Sequence, residues 1–147
     1  MVAVSCLNTG DRGQVEAGLM VPTLGLTHLA LTVSDLDRSF QFYHDVFGMV
    51  TVYREKDFLQ AQTPGARDIL VLEKGTENLG KSGGIKHFGF RLADARDIDA
   101  AATVIERAGG KIIHRGEFVP GEPYVFFTDP DGYEVEVWYE LPTDSVR

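Results

Sequence analysis

LTHLALTVSDLDRSFQFYHDVFG and IKHFGFRLADARDIDAAATVIERAGG are two versions of one strand-then-helix unit. Each begins with a histidine at the head of an alternating apolar stretch, His28 or His87. Each continues through an aspartate, Asp35 or Asp94, into an amphipathic run closed by glycine, Gly48 or Gly109. Three further strand candidates follow each helix, over 50–53, 58–62 and 69–73 in the first copy and over 111–114, 124–128 and 134–138 in the second. A duplicated unit buries its apolar face most simply against its own copy. The order is therefore βαβββ-βαβββ, an α+β fold in which two repeats form a curved mixed sheet, a cup, with helices on the outer face.

Local chemistry supports both helices. Asp35 is placed to cap the first, Leu36, Phe40, Tyr43 and Phe47 recur at helical spacing, and Gly48 suits the left-handed residue that ends a helix. In the second, Asp94 or Asp97 caps, Ile98, Ala101, Ala102 and Ile105 form the apolar stripe, and Gly109-Gly110 stops it. These stripes are core, with no ligand-binding role.

Strand alternation decides which way the chemically interesting side chains face. Leu29, Leu31 and Val33 oppose His28, Ala30 and Thr32; Phe88, Phe90 and Leu92 oppose His87, Gly89 and Arg91; Val135 and Val137 oppose Glu134, Glu136 and Trp138. A lone strand histidine is more often a hydrogen-bonded core or surface residue than a ligand. Equivalent placement in two repeats, with a carboxylate on the final strand, shifts the balance toward a metal site of His28, His87 and Glu136. Two imidazoles and a carboxylate suit divalent iron, manganese, nickel, cobalt or zinc, and three protein ligands leave coordination positions open for substrate. His44, on the first helix, is expected to be solvated. His114, ending a short strand, and Tyr124 are candidate proton-transfer groups at the cup, with Arg91 and Trp138 as candidate substrate contacts. For Arg91 and Tyr124 the structural alternatives are a surface ion pair and a packed ring.

The stretches HLALTVSDLDRSFQFYHDVFGM, KHFGFRLADARDIDAAATVIERAGGKI and YVFFTDPDGYEVEVW, about residues 24–140, resemble the vicinal oxygen chelate superfamily of glyoxalases, fosfomycin-resistance transferases, epimerases, extradiol dioxygenases and bleomycin-binding proteins. The resemblance implies that His28, His87 and Glu136 fall on the superfamily's metal positions. Glyoxalase-type isomerases carry a fourth ligand, and the resemblance puts Val71 at that place, with Glu73 two residues on as the substitute if the register slips. Three ligands with an apolar fourth position are similar to extradiol dioxygenases, which implies oxygen chemistry on Fe(II) or Mn(II), with Ni(II), Co(II) or Zn(II) as the isomerase alternatives. This chain departs from those dioxygenases too: Phe126 stands at the tyrosine position, and no histidine lies between His44 and His87. Ala30 replaces the threonine of the fosfomycin transferases, and the loop 116–123 has no serine for a phosphonate. The resemblance also implies homodimers, and leaves open whether a site forms within one chain or across two.

With 147 residues, 44% of them hydrophobic, the chain suits one compact domain over 24–141, with repeat one at about 24–74, a linker at 75–84 and repeat two at about 85–140. Residues 1–23 read as a flexible arm and 142–147 as a tail. A net charge of -8 opposes binding to nucleic acid phosphates. The single cysteine, Cys6, cannot form an internal disulfide, which fits a reducing cytoplasm. No apolar run approaches the roughly 20 residues of a membrane helix, so a small molecule is the expected partner.

Overall fold

A computed structural model describes residues 21–142; Cys6, most of the expected arm and almost all of the expected tail lie outside them. The element order is β1 (Leu29–Val33), α1 (Leu36–Phe47), β2 (Val50–Arg54), β3 (Phe58–Gln62), β4 (Leu70–Lys74), β5 (Phe88–Arg91), a short 3-10 turn (Ala95–Asp97), α2 (Ile98–Arg107), β6 (Lys111–Glu117), β7 (Pro123–Thr128) and β8 (Glu134–Trp138). The doubled βαβββ order is thus realised, as two four-stranded mixed sheets, β1-β4-β3-β2 and β5-β8-β7-β6. In each, the first strand lies parallel to the last and the others are antiparallel. No helix among the described residues is long and apolar enough to cross a membrane.

The caps explain where the helices start and stop. Asp35 accepts from the Arg38 amide, and Gly48 closes α1 at φ 67°, a conformation that costs glycine little. In the second repeat Asp94 caps the 3-10 turn, whereas Asp97, at the start of α2, makes no side-chain cap.

The alternates facing away from the cup build one core shared by both repeats. Leu31, Val33, Leu59 and Leu72 of the first sheet and Val125, Phe127, Val135 and Val137 of the second belong to the same buried cluster as residues of both helices. Phe42 packs on Phe127 and Phe47 stacks on Phe90 at 3.8 Å, so α1 ties itself to the second sheet as well as to its own. Phe42, 1% exposed, lies off the stripe Leu36, Phe40, Tyr43, Phe47, and Phe40 on that stripe is only half-buried. The stripe residues Tyr43 and Phe47 also pack on Phe90 of the second sheet, so α1 is buried against both repeats, and the burial of Phe42 off the stripe comes from the second of them.

Polar contacts lock the junction. In the β7–β8 turn, Asp129 accepts from the backbone N–H of Asp131, Gly132 and Tyr133, and from the Tyr43 hydroxyl at 2.7 Å. Asp131 accepts from Ser34, Arg38 and Ser39 at the start of α1, and the Tyr133 hydroxyl donates to the Thr32 carbonyl. Gly80 of the inter-repeat segment approaches this turn so closely that an added Cβ would stand 2.4 Å from the Asp131 carbonyl oxygen.

Burial pushes the Asp129 carboxyl above its ordinary value, and the bond from Tyr43 pulls it back. Tyr43→Phe leaves a buried carboxylate oxygen without its donor, which costs about 1–3 kcal/mol. The variant raises the Asp129 pKa further, so its penalty is full where the carboxylate is ionised and shrinks as pH falls through the folded-state value. Urea titrations at neutral and acidic pH check both the size and this sign.

Candidate functional site

His28 and His87 occupy equivalent places, each immediately before the first strand of its sheet, and both are exposed. The ladders fix what stands beside them. In the second sheet Gly89 lies opposite Glu136, whereas in the first Ala30 lies opposite Val71. Because Gly89 and Ala30 each follow their histidine by two residues, Val71 holds the place in sheet one that Glu136 holds in sheet two. The register does not slip: Glu73 lies opposite Thr32, one cup-face step beyond. The equivalence extends across both sheets. Gln60 is opposite Val71 as Phe126 is opposite Glu136, and Tyr53 is opposite Gln60 as His114 is opposite Phe126. Even the bulges correspond, falling just before Tyr53 and just before His114.

The structure brings His87 and Glu136 together, with Nε2 3.4 Å from Oε2. Glu136 is a buried carboxylate whose Oε1 has no hydrogen-bond partner among the described residues. Burial pushes its carboxyl above the usual carboxylate range, with His87 and then His114 opposing that shift. When ionised, this carboxylate offers a free acceptor oxygen beside an imidazole, a donor pair that a cation can use. Gly89 leaves the approach open, since a Cβ there would stand 3.5 Å from Oε2 and 3.3 Å from the Glu136 carbonyl oxygen. This donor pair fits a divalent metal.

His28 is not beside them. It faces a cavity of about 310 Å³ on the first sheet, lined also by Ala30, Phe58, Gln60, Val71 and Glu73. Glu136 lines a separate hollow of about 190 Å³ with Gly89, Arg91, Trp138 and Glu140. Among the described residues, no group of three or more His, Cys, Asp or Glu side chains is close enough to share a metal ion. A cavity of about 500 Å³ runs between the ends of β1 and β5 and touches His28, but neither His87 nor Glu136 lines it. The His87–Glu136 pair, not the volume, marks the candidate site.

The remaining candidates surround the His87–Glu136 pair. His114 stacks on Phe126 at 4.6 Å, and Phe126 meets the edge of His87 at 4.9 Å. Tyr124 packs on Phe126 and on Phe118, with its hydroxyl oxygen 3.0 Å from where a Cβ on Gly116 would stand. Arg91 donates to Glu140 at 2.8 Å, the ion pair expected of a surface arginine, at the rim of the same hollow. Trp138 lines that hollow too, and its indole N–H is buried with no partner among the described residues. His44 is exposed, with Nδ1 2.9 Å from the Met49 carbonyl oxygen. Two neighbours were not indicated by pattern: Phe118, because alternation ends at Gly116 and the ring belongs to a hairpin tip, and Glu140, which lies beyond the last strand.

The family model for the Glyoxalase/Bleomycin resistance protein/Dioxygenase superfamily matches residues 25–137, and the chain belongs to that superfamily. A probable lactoylglutathione lyase from Synechocystis is 30% identical, over 76% of this chain and 92% of that protein. A catechol-2,3-dioxygenase from Bacillus subtilis is 29% identical, over 81% of this chain but 44% of the relative, so this chain spans less than half of that enzyme. The crystal structure of a lactoylglutathione lyase from Agrobacterium tumefaciens superposes with a TM-score of 0.64 at 26% identity, covering 81% of this chain and 96% of that one. The superfamily thus contains both lyases and dioxygenases.

Proposed function

We propose that this protein is a metal-dependent enzyme acting on a small molecule that chelates the metal through vicinal oxygens, with dioxygenase-like chemistry on Fe(II) or Mn(II). The observation that carries the proposal is the asymmetry of the two ladders: Glu136 beside Gly89, but Val71 beside Ala30. Valine cannot ligate, so the donor set is His28, His87 and Glu136, which keeps positions open. Because His28 lies apart from the other two within a chain, the protein works as a homodimer in which His28 of one copy completes the His87–Glu136 pair of the other.

When bound, the metal neutralises negative charge developing on the chelating oxygens. The chain supplies the rest. His114, held flat on Phe126, is the group placed to take or return a proton at its imidazole, and the Tyr124 hydroxyl is a second donor along the same face. Arg91, fixed by Glu140, orients a polar substrate group at the rim. Val71, beside His28, and Phe126, beside His87, give the site apolar flanks.

A lyase or isomerase of glyoxalase type is the second reading, favoured by the lactoylglutathione lyase relative, and sequestration without turnover is the third. Anaerobic purification followed by metal analysis separates them. Iron or manganese, with oxygen uptake on catechols, is the expected result. Nickel or zinc with isomerisation of hemithioacetals replaces it by the lyase, and tight ligand binding without metal replaces it by sequestration.

A further inference from the structure

A continuous aromatic row leaves the His87–Glu136 pair along the second sheet. His87 meets Phe126 at 4.9 Å, Phe126 meets Tyr124 at 5.5 Å, and Tyr124 stacks with Phe118 at 4.2 Å and 23°. Trp138 sets an edge against Phe118 at 5.7 Å and 89°. Two of these rings are fixed by the ladder, since Tyr124 pairs with Trp138 next to the pairing of Phe126 with Glu136. That step of two residues places Trp138 about 7 Å along the strand from Glu136. Gly116 leaves room for the phenol end of Tyr124, 3.0 Å from where a Cβ would stand, and the Tyr124 ring stacks with Phe118.

Phe118 is the anomaly. It is 52% exposed, with Val119 at 48% and Leu141 at 39% beside the same hairpin, although the hairpin is well tied. The Phe118 amide donates to the Glu122 carbonyl, the Glu122 side chain accepts from the Leu141 amide, and Tyr139 donates to the Pro123 carbonyl. An aromatic ring held in a fixed, stacked position with half its surface in water is a contact waiting for apolar surface. Trp138 adds a buried indole N–H with no partner among the described residues. Arg91, paired with Glu140, lies at the rim of the neighbouring hollow and is not part of the aromatic row.

We infer that Phe118, Tyr124 and Trp138 form a distal subsite for the planar aromatic body of the ligand, extending beyond its chelating head. This rests on the function proposed above only for the position of the head. The subsite selects fused or linked rings over a single ring, and disfavours glutathione conjugates, whose bulk is a charged peptide.

Isothermal titration calorimetry of the full chain loaded with Mn(II), using naphthalene-2,3-diol, catechol and S-hexylglutathione, tests the subsite. One further aromatic contact plus its buried area is expected to make the naphthalenediol bind roughly tenfold more tightly than catechol. Phe118→Ala should erase that preference while manganese stoichiometry stays at the wild-type value, and S-hexylglutathione should bind more weakly than either diol. Equal affinities for the two diols, a preference that survives Phe118→Ala, or tight binding of S-hexylglutathione would each overturn the subsite. Failure of the metal reading is seen separately: if no manganese is retained but 1-naphthol still binds in a Phe118-dependent way, the subsite stands and the metal site falls.

Discussion

His87→Ala is expected to abolish stoichiometric binding of a divalent metal while leaving thermal stability nearly unchanged. His87 is exposed at the head of β5 and contributes an edge contact with Phe126 and an approach of 3.4 Å to Glu136, so truncating it costs little stability. It is, however, one of only three proposed donors. Outer-shell changes alone cost roughly 10- to 100-fold in metal affinity, and loss of a ligand exceeds that. A three-ligand catalytic site contributes less to folding than a closed structural one, which is why the two readouts separate. Metal analysis after dialysis, paired with a thermal melt, measures both, and full retention of metal by the variant would remove His87 from the site.

Phe127→Ala makes the opposite prediction, a large loss of stability. Phe127 is fully buried on β7 and packs against Phe42 and Phe47 of the first repeat's helix. Truncating a buried phenylalanine costs about 3–5 kcal/mol, a large share of the roughly 5–15 kcal/mol that holds a domain folded. The melting midpoint should fall by roughly 10 °C. Since the ring joins the two repeats, the variant should still melt in one transition. Two separated transitions in the variant or the wild type would show that the repeats fold as independent units and that the shared core is energetically minor.

The duplication made the architecture legible before any coordinates. Asp35 and Gly48 declared the ends of α1 through capping chemistry, and alternation put His28, His87 and Glu136 on cup faces opposite the core residues. The ladders then gave Val71 the place that resemblance had assigned to it. What pattern could not give were relations between repeats. The burial of Phe42 depends on Phe127, many residues away and on another sheet. Asp129 and Asp131, between the last two strands, hold Tyr43 and the start of α1, which no local pattern indicates. Whether His28 meets His87 depends on how two sheets lie relative to each other, and no local periodicity carries that. Phe118 escaped because a hairpin tip has no period to break, so its importance emerges only once Tyr124, Gly116 and Trp138 surround it.

In the proposed dimer, one site is assembled from His28 of one copy and His87 with Glu136 of another. It is tested most directly by co-expressing a His28→Ala chain and a Glu136→Ala chain with different affinity tags and purifying the doubly tagged dimer. Neither variant alone can form a complete donor set. The mixed dimer contains one intact set and one doubly broken one, so the account predicts half the wild-type metal content for it and essentially none for either parent. A mixed dimer as empty as its parents, or a wild-type monomer that carries full metal, would contradict the shared site.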